Sequence, residues 1–109
     1  MEKNYIVVYV TVPDESAAKS IADSILGDRL AACCNILPSI RSLYRWKGEI
    51  QDDSELLLIF KTKAALFEKL SASVKASHPY EVPEIIAIPI ADGSADYLAW
   101  IDENVIKKF

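Results

Sequence analysis

Leu43-Tyr44-Arg45-Trp46-Lys47-Gly48-Glu49-Ile50-Gln51 decides how this chain folds. Lys47-Gly48 reads as a two-residue turn between strand-forming arms, a hairpin signal. A turn of that length pairs Trp46 with Glu49 and Tyr44 with Gln51, so these four share one face near the tip. Working outward, residues 31–46 form the outgoing arm, interrupted near Pro38, and residues 49–62 the returning one. Arms of about 15 residues reach roughly 50 Å at about 3.3 Å per residue, far beyond ordinary strands of about 5–6 residues.

The flanking segments complete one domain over residues 1–109. Residues 4–12 are a β-branched and aromatic strand stopped by Pro13. Asp14 is placed to cap a helix carrying Ala17, Ala18, Ile21, Ala22, Ile25 and Leu26 at helical spacing, ended by Gly27. Thr62 is expected to cap a second helix with Leu66, Phe67, Leu70 and Val74 on one face. Residues 84–90 are a fourth strand. Asp92-Gly93 turns the chain, and Ser94 caps a last helix with Leu98, Ile101 and Val105 inward. The fold class is therefore α+β: a ferredoxin-like four-stranded antiparallel sheet with a long hairpin and an extra C-terminal helix.

Two features do not suit a lone monomer. The strands Ile6–Val10, Leu56–Phe60 and Ile85–Ile90 are apolar at nearly every position, whereas a sheet with helices on one face should alternate. Long hairpin edges also invite pairing. Both point to a homo-oligomer that covers the second face, with Leu58 and Ile86 expected on it.

The composition excludes several roles. The 109 residues carry a net charge of −4, against a general nucleic-acid partner and against anionic membrane surfaces. The apolar run from Tyr5 to Val12 is too short for a secretory core or a bilayer span. Cys33 and Cys34 are adjacent, a poor geometry for bridging each other, so a reducing cytoplasm is the expected location. No Gly-rich phosphate loop, zinc cysteine cluster or serine–histidine elbow is present, and the chain is read as a non-enzyme.

The candidate site centres on His78-Pro79-Tyr80-Glu81-Val82-Pro83-Glu84. Pro79 and Pro83 bar a helix and hold His78, Tyr80, Glu81 and Glu84 on a stiff extended segment. His78, the chain's one histidine, is a candidate metal ligand. Cys33 and Cys34 are further candidates, although successive strand residues face opposite ways and cannot readily chelate one ion. Trp46, Tyr80, Tyr97 and Trp100 are aromatic candidates for a ligand cleft or an interface, as are the charges Glu55, Lys61, Glu81 and Glu84, which sit in or beside apolar strands and need a partner or a cleft. Glu49, Asp52, Asp53 and Glu55 lack calcium-loop spacing and read as a solvated edge.

Taken in order, Arg29-Leu30-Ala31-Ala32-Cys33, Asn35-Ile36-Leu37-Pro38, Ser42 through Ile50, Glu55 through Thr62, His78 through Ile90 and Asp96 through Ile101 resemble the CutA family, the divalent-cation tolerance proteins. The resemblance implies a homotrimer with PII-like architecture and a role linked to copper(II) or another divalent cation, with no cofactor needed for folding. In family members that bind copper, the ligands are a cysteine ending the first strand and paired histidines before Pro-Tyr. Here those positions hold Val10 and Ser77, leaving His78. The resemblance thus implies weak copper binding. The alternative is a signalling trimer that takes a small molecule or protein at its inter-subunit clefts.

Overall fold

The structure, a computed structural model, describes residues 4–107. Strand β1 (Tyr5–Val12) leads to helix α1 (Glu15–Gly27), then to β2 (Cys33–Trp46) and β3 (Glu49–Lys63). A 3-10 turn (Ala64–Leu66) opens α2 (Phe67–Ser77), followed by β4 (Ile85–Pro89) and α3 (Ala95–Asn104). The sheet runs β2-β3-β1-β4 with every neighbouring pair antiparallel, the ferredoxin-like order expected from the sequence. Among the described residues, no helix is long and apolar enough to cross a membrane.

Local signals act as their chemistry dictates. Asp14 Oδ1 accepts from the Ala17 amide at 2.8 Å, and the Ser94 hydroxyl oxygen accepts from the Tyr97 amide at 3.4 Å, each satisfying an orphan donor of a helix start. Thr62 is a correction. It lies inside β3, and its hydroxyl donates to the Leu30 carbonyl at 2.7 Å. The 3-10 turn that follows takes no side-chain cap.

The hairpin turn is built on left-handed backbone, with φ of 50° at Lys47 and 83° at Gly48. Both central residues at positive φ match the right-handed twist of the arms. Trp46 faces Glu49 and Tyr44 faces Gln51, as the turn length requires. Farther down, Leu37 pairs with Leu57 while Ile40 pairs with Glu55. Pro38 and Ser39 therefore oppose Leu56 alone, a β-bulge, with Ser39 at φ 63°. The extra residue inverts the alternation. Before it, Cys33, Asn35 and Leu37 share a face with Leu57 and Ile59; beyond it, Tyr44 and Trp46 do.

The core lies on the other face. Val8, Val10, Val12, Leu58 and Phe60 pack there against Ile21 and Ile25 of α1, Leu70 and Val74 of α2 and Ile101 of α3. Each such side chain contributes about 1.5–3 kcal/mol on burial. Leu58 thus belongs to the helix side, contrary to expectation, because it pairs with Val10. The opposite face carries Val7, Tyr9, Leu57 and Ile59, only half-buried, beside Ile86 and Ile88 at 48% and 42% exposure. One face is covered and one apolar face is open, which accounts for strands without polar alternation.

Candidate functional site

The segment after α2 is tied down by His78. Its Nε2 donates to the Thr11 carbonyl at 2.7 Å, and its Nδ1 accepts the Tyr80 amide at 3.0 Å. The second bond requires a bare Nδ1, so the proton sits on Nε2. The imidazole also packs on the Tyr80 ring, with centroids 4.8 Å apart. Fixed this way, the loop aims Tyr80 at β3.

There the Tyr80 hydroxyl donates to Glu55 Oε2 at 2.6 Å. Glu55 is 4% exposed, and among the described residues no lysine or arginine pairs with it. Burial, then the bond to Glu55, holds the Tyr80 phenol well above the ordinary tyrosine range, so it stays a donor. Next along the hairpin, the Tyr44 hydroxyl donates to Asp53, and that bond pushes the Tyr44 phenol up to about 12. Arg41 makes two bonds to Asp52, at 2.9 and 2.7 Å.

These groups line a cleft of about 930 Å³ between the hairpin and the loop after α2. Trp46, Glu55, Tyr80, Glu81 and Glu84 meet there, joined by Tyr44, Arg41 and Arg45. Lys61, Tyr97 and Trp100 do not line it. Lys61 instead donates to Asn35 and lies 3.8 Å from the Cys33 sulfur. Burial and the adjacent Cys33 raise the Tyr97 phenol, and its ring stacks on Trp100 at 5.5 Å. The residues grouped by sequence as one cleft thus form two clusters, separated because Lys61 sits far along β3 from the hairpin tip.

The thiols divide as strand geometry requires. Cys33 pairs with Lys61 and Cys34 with Phe60, so they occupy opposite faces. Burial, with Cys33 beside it, pushes the Cys34 thiol up to about 12, far from the thiolate a metal needs. Among the described residues, no three His, Cys, Asp or Glu side chains gather to hold an ion. With both nitrogens of His78 already bonded, this donor set does not fit a tight copper(II) centre.

A family model for the CutA1 divalent ion tolerance protein matches residues 6–104. The chain belongs to the CutA family. The divalent-cation tolerance protein CutA of Thermus thermophilus is 54% identical over 98 residues, covering 90% of this chain and 95% of that one. The chloroplastic CutA of Arabidopsis thaliana is 55% identical over 91% of this chain, which spans only 54% of that protein. Among solved structures, a CutA1 from Thermus thermophilus superposes with a TM-score of 0.90 at 52% identity, covering 93% of this chain and 98% of that one. The periplasmic CutA of Archaeoglobus fulgidus gives 0.91 at 41%, covering 94% and 99%. Within this CutA chain, sequence reasoning overlooked Arg41 and Arg45 as lining residues. The signal available was their position on the same arm as Tyr44 and Trp46.

Proposed function

We propose that the protein serves divalent-cation tolerance as a non-enzymatic homotrimer that binds copper(II) no more than weakly. The observation that carries the assembly is the open apolar face of the sheet, where Ile86 and Ile88 stand exposed beside Leu57 and Ile59. A hairpin of 14- and 15-residue strands stretches the subunit to 45 × 26 × 22 Å and leaves edges for neighbours. The weak-copper reading rests on the donor set: His78 must surrender a bond before it can coordinate, and Cys34 must lose a tightly held proton. Unbridged cysteines suit a cytoplasmic setting. Calorimetric titration of the trimer with copper(II) tests this reading. Millimolar or weaker binding agrees with it, and a nanomolar site contradicts it.

The cleft supports a second reading, a PII-like trimer that takes a small molecule. Its volume and its mixture of aromatic and charged walls suit a ligand rather than a bare ion. A metabolite panel run in the same calorimeter separates the two.

A further inference from the structure

We propose that a second copy of this chain completes the Glu55 site: the Lys61 ammonium of one subunit pairs with the Glu55 carboxylate of the next. This rests on the homotrimer reading and adds the contact that sets how its subunits meet.

The open face of β3 carries a short stripe. By strand alternation Glu55, Leu57, Ile59 and Lys61 stand on it in that order, an acid at one end, an ammonium at the other and two apolar side chains between. Each charge is short of a partner in the single subunit. Glu55 is 4% exposed; the Tyr80 hydroxyl occupies Oε2, and among the described residues no cation pairs with the carboxylate. A carboxylate so far removed from water calls for one. Lys61 is half-buried and turns its ammonium toward Asn35 and the Cys33 sulfur. Among the described residues no carboxylate pairs with it, and an ammonium has three protons to donate.

Within one chain the two cannot meet. Six positions of strand put them about 20 Å apart at about 3.3 Å per residue. The other cations near Glu55 do not serve it either. Lys63, on the same face, is held by Asp102 at 2.8 Å. Arg41 and Arg45 stand opposite Ser54 and Ile50, residues that point to the other face. Turned head to tail on a second copy, the stripe is its own complement: carboxylate meets ammonium, and Leu57 and Ile59 cover apolar surface. A copy turned the other way would set Glu55 against Glu55 and Lys61 against Lys61, which like-charge repulsion forbids. The pair therefore fixes register more than it adds strength. It also joins two clusters that lie apart in the subunit, Glu55 with Tyr80 and Lys61 with Cys33.

Light scattering on dilution of the full chain in mild urea tests this, with circular dichroism to follow folding. Glu55→Lys and Lys61→Glu should each raise the subunit concentration at which the assembly half-dissociates by about tenfold or more. The double reversal should return it to within about threefold of the wild type. The two positions cannot touch within a chain, so recovery reports a contact between copies. If Glu55→Lys does not fold, Glu55→Gln and Lys61→Gln serve in its place, and their double variant should be no weaker than the worse single one. Independent losses that multiply, or single variants that assemble like the wild type, overturn the pair and leave the trimer standing. A wild type that is monomeric at micromolar concentration without urea overturns the trimer and the pair with it.

Discussion

His78 Nε2 lies 2.7 Å from the Thr11 carbonyl oxygen, fastening the loop ahead of β4 to the end of β1 across 67 positions of sequence. The ring nitrogen that donates here is matched by one that accepts, so the imidazole is a structural bracket for Tyr80.

Removing that bracket should be felt as stability. His78→Ala orphans the Tyr80 amide and one acceptance at Thr11, and is expected to cost about 1–3 kcal/mol. Urea unfolding followed by circular dichroism measures it. An unchanged midpoint would mean that the loop is held by other contacts.

The two faces of the sheet should respond differently to a buried charge. Leu58→Asp places a carboxylate among fully enclosed side chains of the helix side and should abolish folding. Ile86→Asp acts on the open face and should abolish assembly. Light scattering after size exclusion is expected to give about three subunit masses for the wild type if the proposed homotrimer forms, and one or two masses would contradict it. A trimer that survives Ile86→Asp would show that this face is not the one covered.

Stability should fall in alkali, beginning with Cys34. Its folded-state thiol is pushed from 9.0 up to about 12 by burial and by Cys33, so the unfolded chain loses this proton first. The contribution is whole below about pH 9 and is lost as pH rises toward 12. Tyr80 and Tyr44, raised from 10.0, add to the loss at higher pH. Denaturation midpoints at pH 8, 9 and 10 should decline for the wild type and flatten for Cys34→Val. Parallel declines would assign the effect to other groups.

At the hairpin tip, Gly48→Ala should cost about 1 kcal/mol, because an L side chain at positive φ is strained. No atom would obstruct the new methyl group, so the effect isolates backbone conformation. A neutral result in thermal unfolding would show that the turn relaxes to another type.

Most of the fold is legible because its signals are local. The Lys47-Gly48 turn sets the register of the whole distal hairpin, and Asp14 and Ser94 announce their helices. Apolar strands without alternation announce an open apolar face, although not which residues occupy it: Leu58 and Ile86 differ because they pair with Val10 and Tyr9, neighbours that point opposite ways. The site is harder to read. That Glu55 meets Tyr80, and that Lys61 meets Cys33, depends on how far along β3 each sits and on what packs against it. Neither periodicity nor composition records such distances. Thr62 misled because a hydroxyl ahead of a helical pattern looks like a cap, yet it is drawn to the Leu30 carbonyl of a different element.

The bulge at Pro38 and Ser39 lets both halves of β2 keep their places against an unbroken β3. Leu37 opposite Leu57 and Ile40 opposite Glu55 stay on one face, although three steps separate them on β2 and two on β3. Deleting Ser39 would close the bulge and leave one residue opposite Leu56, while the turn at Lys47-Gly48 would hold Tyr44 and Trp46 on the face they have now. The loss of one residue there is absorbed locally, as a change of bend and twist. Related chains that are one residue shorter between Leu37 and Ile40 should therefore keep the same side chains on each face of the distal hairpin and differ in the direction in which its tip points.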